Sequence, residues 1–269
     1  MESQQDTFIS HLVELRDRLL RSLIAIAVVF FALFAYPGPG AIYDLLAAPM
    51  VAQLPEGTKM IATGVVSPFG TPVKVTAMAA FLLVLPYVLY QVWAFVAPGL
   101  YRHEKRLALP LVVTSTLLFL AGMAFCYFFV FGQVFKFIAA FAPRSITPAP
   151  DIEQYFSFVL TMFLAFGLTF EVPVALIVLV RMGIVQIEKL KEIRPYFIVG
   201  AFVVAAIVTP PDVVSQLALA IPMCVLYEVG IVMARILGRP AGESDWKAPS
   251  DDEMESELDR AEADAKKPE

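Results

Sequence analysis

Few side chains in this sequence could do chemistry, and the carboxylates come first. Glu14, Glu104 and Glu171 each stand where a charge needs a physical reason. Glu171 is the only charge in the apolar stretch Tyr155–Val180. A carboxylate at mid-bilayer costs about 2.5–3.5 kcal/mol on insertion scales, so it is expected to face a bundle interior or a wet cavity. Pro173, two residues on, frees the carbonyl of Thr169 and favours a kink there. His11 lies three residues before Glu14, and His103 is next to Glu104. Two histidines and two carboxylates could bind a metal, but adjacent loop residues rarely reach one ion, so no metal is expected. The sequence has no phosphate-cradling GxxxxGK and no recognisable nucleophile motif, and Cys126 and Cys224 lie in apolar blocks. No cofactor and no enzymatic reaction are expected. The chemistry available is ion pairing.

The surroundings of Glu14 read as a helix. Phe8, Leu12, Leu15 and Leu19 recur at i, i+4, i+7 and i+11, which makes an apolar stripe. His11, Glu14, Arg18 and Arg21 occupy other faces. Residues 1–18 are thus expected to form an amphipathic helix at a membrane surface before turning into a span. The plain role for Glu14 is an i, i+4 pair with Arg18, worth about 0.3–0.5 kcal/mol at an exposed site.

These residues sit on a membrane scaffold. Of the 269 residues, 59% are hydrophobic and 17% charged, against roughly 45–50% and about 25% in soluble domains. Six apolar segments qualify as spans: Leu19–Tyr36, Val75–Ala97, Leu107–Gly132, Tyr155–Val180, Pro195–Thr209 and Val213–Ala234. The expected class is an all-α integral membrane protein with six crossings in its 19–235 domain. Both termini then share a side with 12 of the flanking Lys and Arg residues, against Lys59, Lys74, Lys136 and Arg144 opposite. The positive-inside rule makes that side cytoplasmic, with loops 98–106 and 181–194. The fifth segment is short, about 22 Å at 1.5 Å per residue, and Thr209-Pro-Pro-Asp212 joins it to the sixth as a tight hairpin. The outer loop 37–74 holds six prolines and reads as a stiff cap, with a short helix over Ala41–Leu54 broken at Pro49. Gln91, Gln216 and Glu228 within spans are expected to bond between helices. Residues 236–269 are an acidic tail, with 11 acidic and 4 basic residues from Glu243 on, and are expected to be disordered. No nucleic-acid partner is expected.

Several motifs resemble one family. His11-Leu-Val-Glu-Leu-Arg-Asp-Arg-Leu19 is similar to the HLxELRxRL signature of TatC, the receptor subunit of the twin-arginine protein translocase. Ser67-Pro-Phe69, Gln91-Val-Trp-Ala-Phe95, Pro98-Gly-Leu-Tyr-Arg-His-Glu-Lys-Arg106, Phe170-Glu-Val-Pro173 and Thr209-Pro-Pro-Asp-Val-Val-Ser-Gln216 follow in family order. The resemblance implies a six-helix, glove-like protein of the bacterial inner membrane. Such a protein binds twin-arginine signal peptides and exports folded cargo by protonmotive force, together with TatA, TatB and further copies of itself. It implies that Glu14 and Glu104 receive the paired arginines, with Arg16, Phe95, Tyr101 and Lys105 flanking them. Glu171 matches an intramembrane polar site and Pro49 a position in the outer cap. Thr209, Asp212 and Gln216 match a region that meets partner subunits.

Two other readings remain at this point. Glu171 could serve as the proton site of a proton-coupled small-solute carrier, or the protein could be an insertase with a wet groove that helps nascent hydrophobic helices. Neither gives Glu14 and Glu104 a use.

Overall fold

The computed structural model describes residues 2–51, 60–96, 105–141, 151–209 and 212–237. Among these the regular structure is helical. The elements are α1 Glu2–Ala35, α2 Pro39–Val51, α3 Ser67–Val96 and α4 Lys105–Phe125. A π-helical turn, Cys126–Val130, then leads into α5 Phe131–Phe141. α6 Ile152–Phe170, α7 Val172–Arg181, α8 Ile187–Val208 and α9 Val213–Leu237 complete the chain order. Helices are the natural outcome for apolar runs of this length, because in lipid each backbone N–H and C=O must be satisfied within its own segment.

Five stretches are long and apolar enough to cross a membrane: Leu12–Ala35, Ser67–Val96, Leu109–Val134, Ile152–Arg181 and Val213–Leu237. α8 is not among them. Glu188, Lys189, Lys191, Glu192 and Arg194 fill its first turns and leave an apolar portion only from Pro195 on. The helix begins at Ile187, eight residues before the expected start, and Pro195 lies inside it. A proline in a helix forfeits one hydrogen bond, and here the loss falls near the polar end, where water can meet the freed carbonyl.

Two further expectations are corrected. The turn expected between the amphipathic segment and the first span is not there, since α1 runs unbroken from Glu2 to Ala35 with neither glycine nor proline to interrupt it. Nor does Pro49 break α2, which continues to Val51. Pro49 forfeits its own bond to the Leu45 carbonyl, and only two further residues of the helix follow it. The expected kink near Pro173 is present: the chain turns at Glu171, and Pro173 sits in the first turn of α7. That is where a residue without an N–H is tolerated. α7 stops at Gly183, whose φ of +70° suits glycine. Gly183 N–H bonds Val180 O at 3.0 Å and Ile184 N–H bonds Leu179 O at 3.1 Å, the paired bonds of a Schellman ending.

The α6–α7 unit is the centre of the bundle. Half of its most apolar window is buried, against 6% for α1, which among the described residues packs chiefly on α3. Phe131, Phe156 and Phe166 are fully buried around it with Val134, Val159 and Met162. α4 reaches α6 through two glycines. A side chain at Gly122 would collide with the backbone carbonyl of Phe166, and one at Gly167 with the ring of Phe119. α9 crosses α7 in the same way, with Gly230 against Pro173 and Leu176. Small residues at such crossings let helix backbones approach, and dispersion contacts then hold them together.

At the end of the bundle where α3 and α6 start, a polar clamp joins them. Asp151 caps α6 by accepting from the N–H groups of Glu153 at 2.9 Å and Gln154 at 3.1 Å, and its other oxygen takes Thr63 N–H at 2.9 Å. Glu153 accepts from Ser67 Oγ and from Lys74 Nζ, each at 2.8 Å. The hydrogen bonds from Thr63 hold the Asp151 carboxyl down to about 2, with those from the capped N–H groups adding to the effect.

Two outcomes are expected. Gly122→Val should destabilise the purified protein by about 1–3 kcal/mol, read as a lower midpoint of thermal unfolding in detergent. The Asp151 clamp should be fully present above the ordinary carboxylate value of about 4 and disappear as pH falls through about 2, because its folded value is depressed. Hydrogen-exchange protection of the Thr63 and Glu153 amides would report it, and loss of protection already at pH 5 would contradict it.

Candidate functional site

One polar constellation forms between the middle of α1 and the last turns of α3. Glu14 and Arg18 lie one turn apart on α1, so their side chains meet on one face. Arg18 Nε and Nη2 donate to the same oxygen, Glu14 Oε1, at 2.9 and 2.6 Å. Arg18 Nη1 donates to Gln91 Oε1 on α3 at 3.2 Å. Gln91 is 5% exposed, so this acceptor belongs to the bundle interior, whereas the Glu14 side chain is 39% exposed. The simple i, i+4 pair foreseen for Glu14 is real, but it is anchored to a second helix. Phe95 follows Gln91 by one turn on the same face of α3.

The other residues expected at this site are less closely gathered. Arg16 is two residues from Glu14, which is about 200° around the helix, and it pairs with Asp17 at 2.8 Å. It is not brought to Glu14. Tyr101 and Glu104 lie outside the described residues, as does the side chain of Lys105, although its backbone opens α4.

Glu171 sits at the turn between α6 and α7, with 9% of its surface exposed. Neither carboxyl oxygen has a hydrogen-bond partner among the described residues, although the side chain interacts with Ser115 on α4. That serine is itself tied down, since Trp93 Nε1 donates to its Oγ at 2.8 Å. Nothing in the sequence pairs Trp93 with Ser115. The only hint is a hydroxyl and an indole at compatible depths in neighbouring apolar runs.

Several other polar residues of the apolar helices bond between helices or cap them, while the buried hydroxyls of Thr71, Thr169 and Ser215 have no partner among the described residues. Arg194 on α8 pairs with Glu228 on α9 at 2.7 Å, and Tyr227 donates to Leu190 O at 2.7 Å. Thr209 ends α8 by donating both its N–H and its hydroxyl to Ala205 O. Asp212 opens α9 by accepting Ser215 N–H at 2.7 Å, and Gln216 Nε2 reaches Phe202 O at 3.3 Å. These three residues brace the junction of α8 and α9, while Pro210 and Pro211 lie outside the described residues. Pro49 is in the last turn of α2, and its side chain is likewise outside them.

A bundle of long apolar helices, with polar groups gathered at helix ends and one buried carboxyl at mid-chain, defines a multi-span membrane protein. Its accessible chemistry is ionic recognition. Residues 10–222 match the family model described as Sec-independent protein translocase protein (TatC), and the chain belongs to that family. The Sec-independent protein translocase protein TatC of Azotobacter chroococcum mcd 1 is 53% identical over 240 residues, covering 88% of this chain and 93% of that one. Its counterpart in Escherichia coli strain K12 is 52% identical over 235 residues, covering 87% and 90%. A crystal structure of the twin arginine translocase receptor TatC superposes with a TM-score of 0.74 at 38% identity, covering 85% of this chain and all of that one. The chain is thus a translocase protein of the inner membrane. The small-solute carrier reading finds no support among these relatives.

Removing this poorly satisfied carboxyl should raise stability. Glu171→Leu is expected to gain about 1–3 kcal/mol in thermal unfolding of the purified protein, because a buried carboxyl whose only interaction, with Ser115, falls short of hydrogen-bond geometry is replaced by an apolar group. Transport measured with the same variant should fall if Glu171 is the intramembrane polar site that the resemblance implies, and unchanged transport would remove it from the site.

Proposed function

We propose that this protein is the signal-peptide receptor and core subunit of a translocase that exports folded proteins bearing twin-arginine signal peptides. It acts by binding and scaffolding rather than by chemical catalysis. The protonmotive force drives transport, and TatA, TatB and further copies of the chain complete the machine. In this reading α8 is a sixth, short span, both termini are cytoplasmic, and the Glu14 end of the bundle faces the cytoplasm. The observation that carries it is the half-exposed Glu14 carboxylate, held on α1 where a soluble peptide can reach it.

Glu14 and Glu104 dock the two arginines. A guanidinium is always charged and presents a planar fork of donors that fits a carboxylate bidentately. Two carboxylates on a basic surface select for two cations at a set spacing. Phe95, Tyr101 and Lys105 border the peptide, and Arg16 adds positive surface on the far side of α1. Glu171 supplies a polar site within the bilayer. The junction at Thr209, Asp212 and Gln216 meets partner subunits, and Pro49 belongs to the outer cap. The short apolar length of α8 supports a locally thinned bilayer beside that junction.

A photocrosslinker at position 104 should capture an Arg-Arg signal peptide well above its Lys-Lys counterpart. Glu14→Lys should cut capture by at least about tenfold, the equivalent of 1.4 kcal/mol or more, since it sets a cation against a cation. Equal capture of the two peptides, or full capture by Glu14→Lys, would remove Glu14 from the receptor site.

A further inference from the structure

The carboxylate assigned to the ligand is already occupied by Arg18. Both Nε and Nη2 of Arg18 fall on Glu14 Oε1, while Nη1 is held by Gln91 Oε1 on α3. Arg18 is not a free surface cation, since its side chain is 23% exposed and three of its donors are engaged. We propose that Arg18 is a specificity-determining residue: an internal guanidinium that holds Glu14 until a guanidinium of the ligand replaces it. This rests on the receptor reading above.

The physical argument is one of exchange. With Arg18 in place the pair carries no net charge, so a point cation such as a lysine ammonium gains little on approach. An ammonium that displaced Arg18 would also give up the planar two-donor contact that Arg18 makes. An arriving guanidinium gives Glu14 the same donors in return. The displaced Arg18 keeps its bond to Gln91, so it is not left unpaired at a half-buried position. A bare carboxylate would accept either cation. Arg18 thus lowers the general affinity of Glu14 for cations and thereby favours arginine over lysine. Gln91 is the positioning residue that retains Arg18 during the exchange.

The test uses the full-length protein in lipid nanodiscs, with labelled Arg-Arg and Lys-Lys signal peptides as probes. Arg18→Gln should strengthen Lys-Lys binding by about three- to tenfold while changing Arg-Arg binding less, so the preference narrows by about three- to fivefold. Arg18→Lys, which keeps the charge without the fork, should fall between the two. Gln91→Met, which removes only the anchor on α3, should shift the preference in the same direction by less, and reads the proposal even if Arg18→Gln does not fold. A wild-type preference that survives unchanged in these variants, or parallel weakening of both peptides, would overturn the role of Arg18 and leave the receptor reading standing. No wild-type preference for Arg-Arg would overturn the receptor reading, and the role of Arg18 with it.

Discussion

In an apolar solvent a polar group must find its partner on the protein, and most of this structure follows from that requirement. Hydroxyls in the helices bond back to their own chain: Ser22 to Arg18 O, Thr76 to Pro72 O, Thr116 to Val112 O and Thr161 to Ser157 O. Longer polar side chains cannot reach their own backbone, so they join neighbours. Arg18 binds Gln91 across α1 and α3, Trp93 binds Ser115 across α3 and α4, and Arg194 binds Glu228 across α8 and α9. Each such bond fixes a helix pair in register more firmly than apolar contact does, because lipid competes for apolar surface and not for polar groups. Exceptions among the described residues are the hydroxyls of Thr71, Thr169 and Ser215, Arg194 Nε and, as the one carboxyl, Glu171. Its carboxyl is buried, interacts with Ser115, and meets no partner at hydrogen-bonding geometry.

Much of the architecture was legible in the sequence because its signals are local. Long apolar runs mark α1, α3, α4, α6 and α9, and Pro173 marks the break after Glu171. Misreadings arose where two local signals competed. Pro195 looked like the start of a helix, yet the charged turns before it are helical too, and the helix absorbs the proline. Pro49 was read as a break for the same reason. The polar segment before Leu19 suggested a turn, although it holds neither glycine nor proline and stays helical. A change of polarity marks where a membrane begins, not where a helix ends.

The site was legible by residue and illegible by partner. Glu14 and Arg18 are one turn apart, so their pairing follows from helical geometry alone. Gln91 lies 73 residues from Arg18, and its role depends on how far α3 slides along α1. That register comes from packing, which no short motif encodes. The glycines are the partial exception: Gly122 and Gly167 stand in apolar runs where a side chain would be expected, and both mark the crossing of α4 and α6.

The distribution of packing gives these polar contacts their consequence. α6 and α7 are locked by fully buried aromatic rings, whereas α1 contributes only 6% burial in its apolar window and rests chiefly on α3. With so little buried surface, α1 is held to the bundle by its packing on α3 and by the Arg18–Gln91 hydrogen bond, the Ser22 bond being internal to α1. Exchange of Arg18 at Glu14 breaks a contact within α1 and leaves the Arg18–Gln91 bond between α1 and α3 in place.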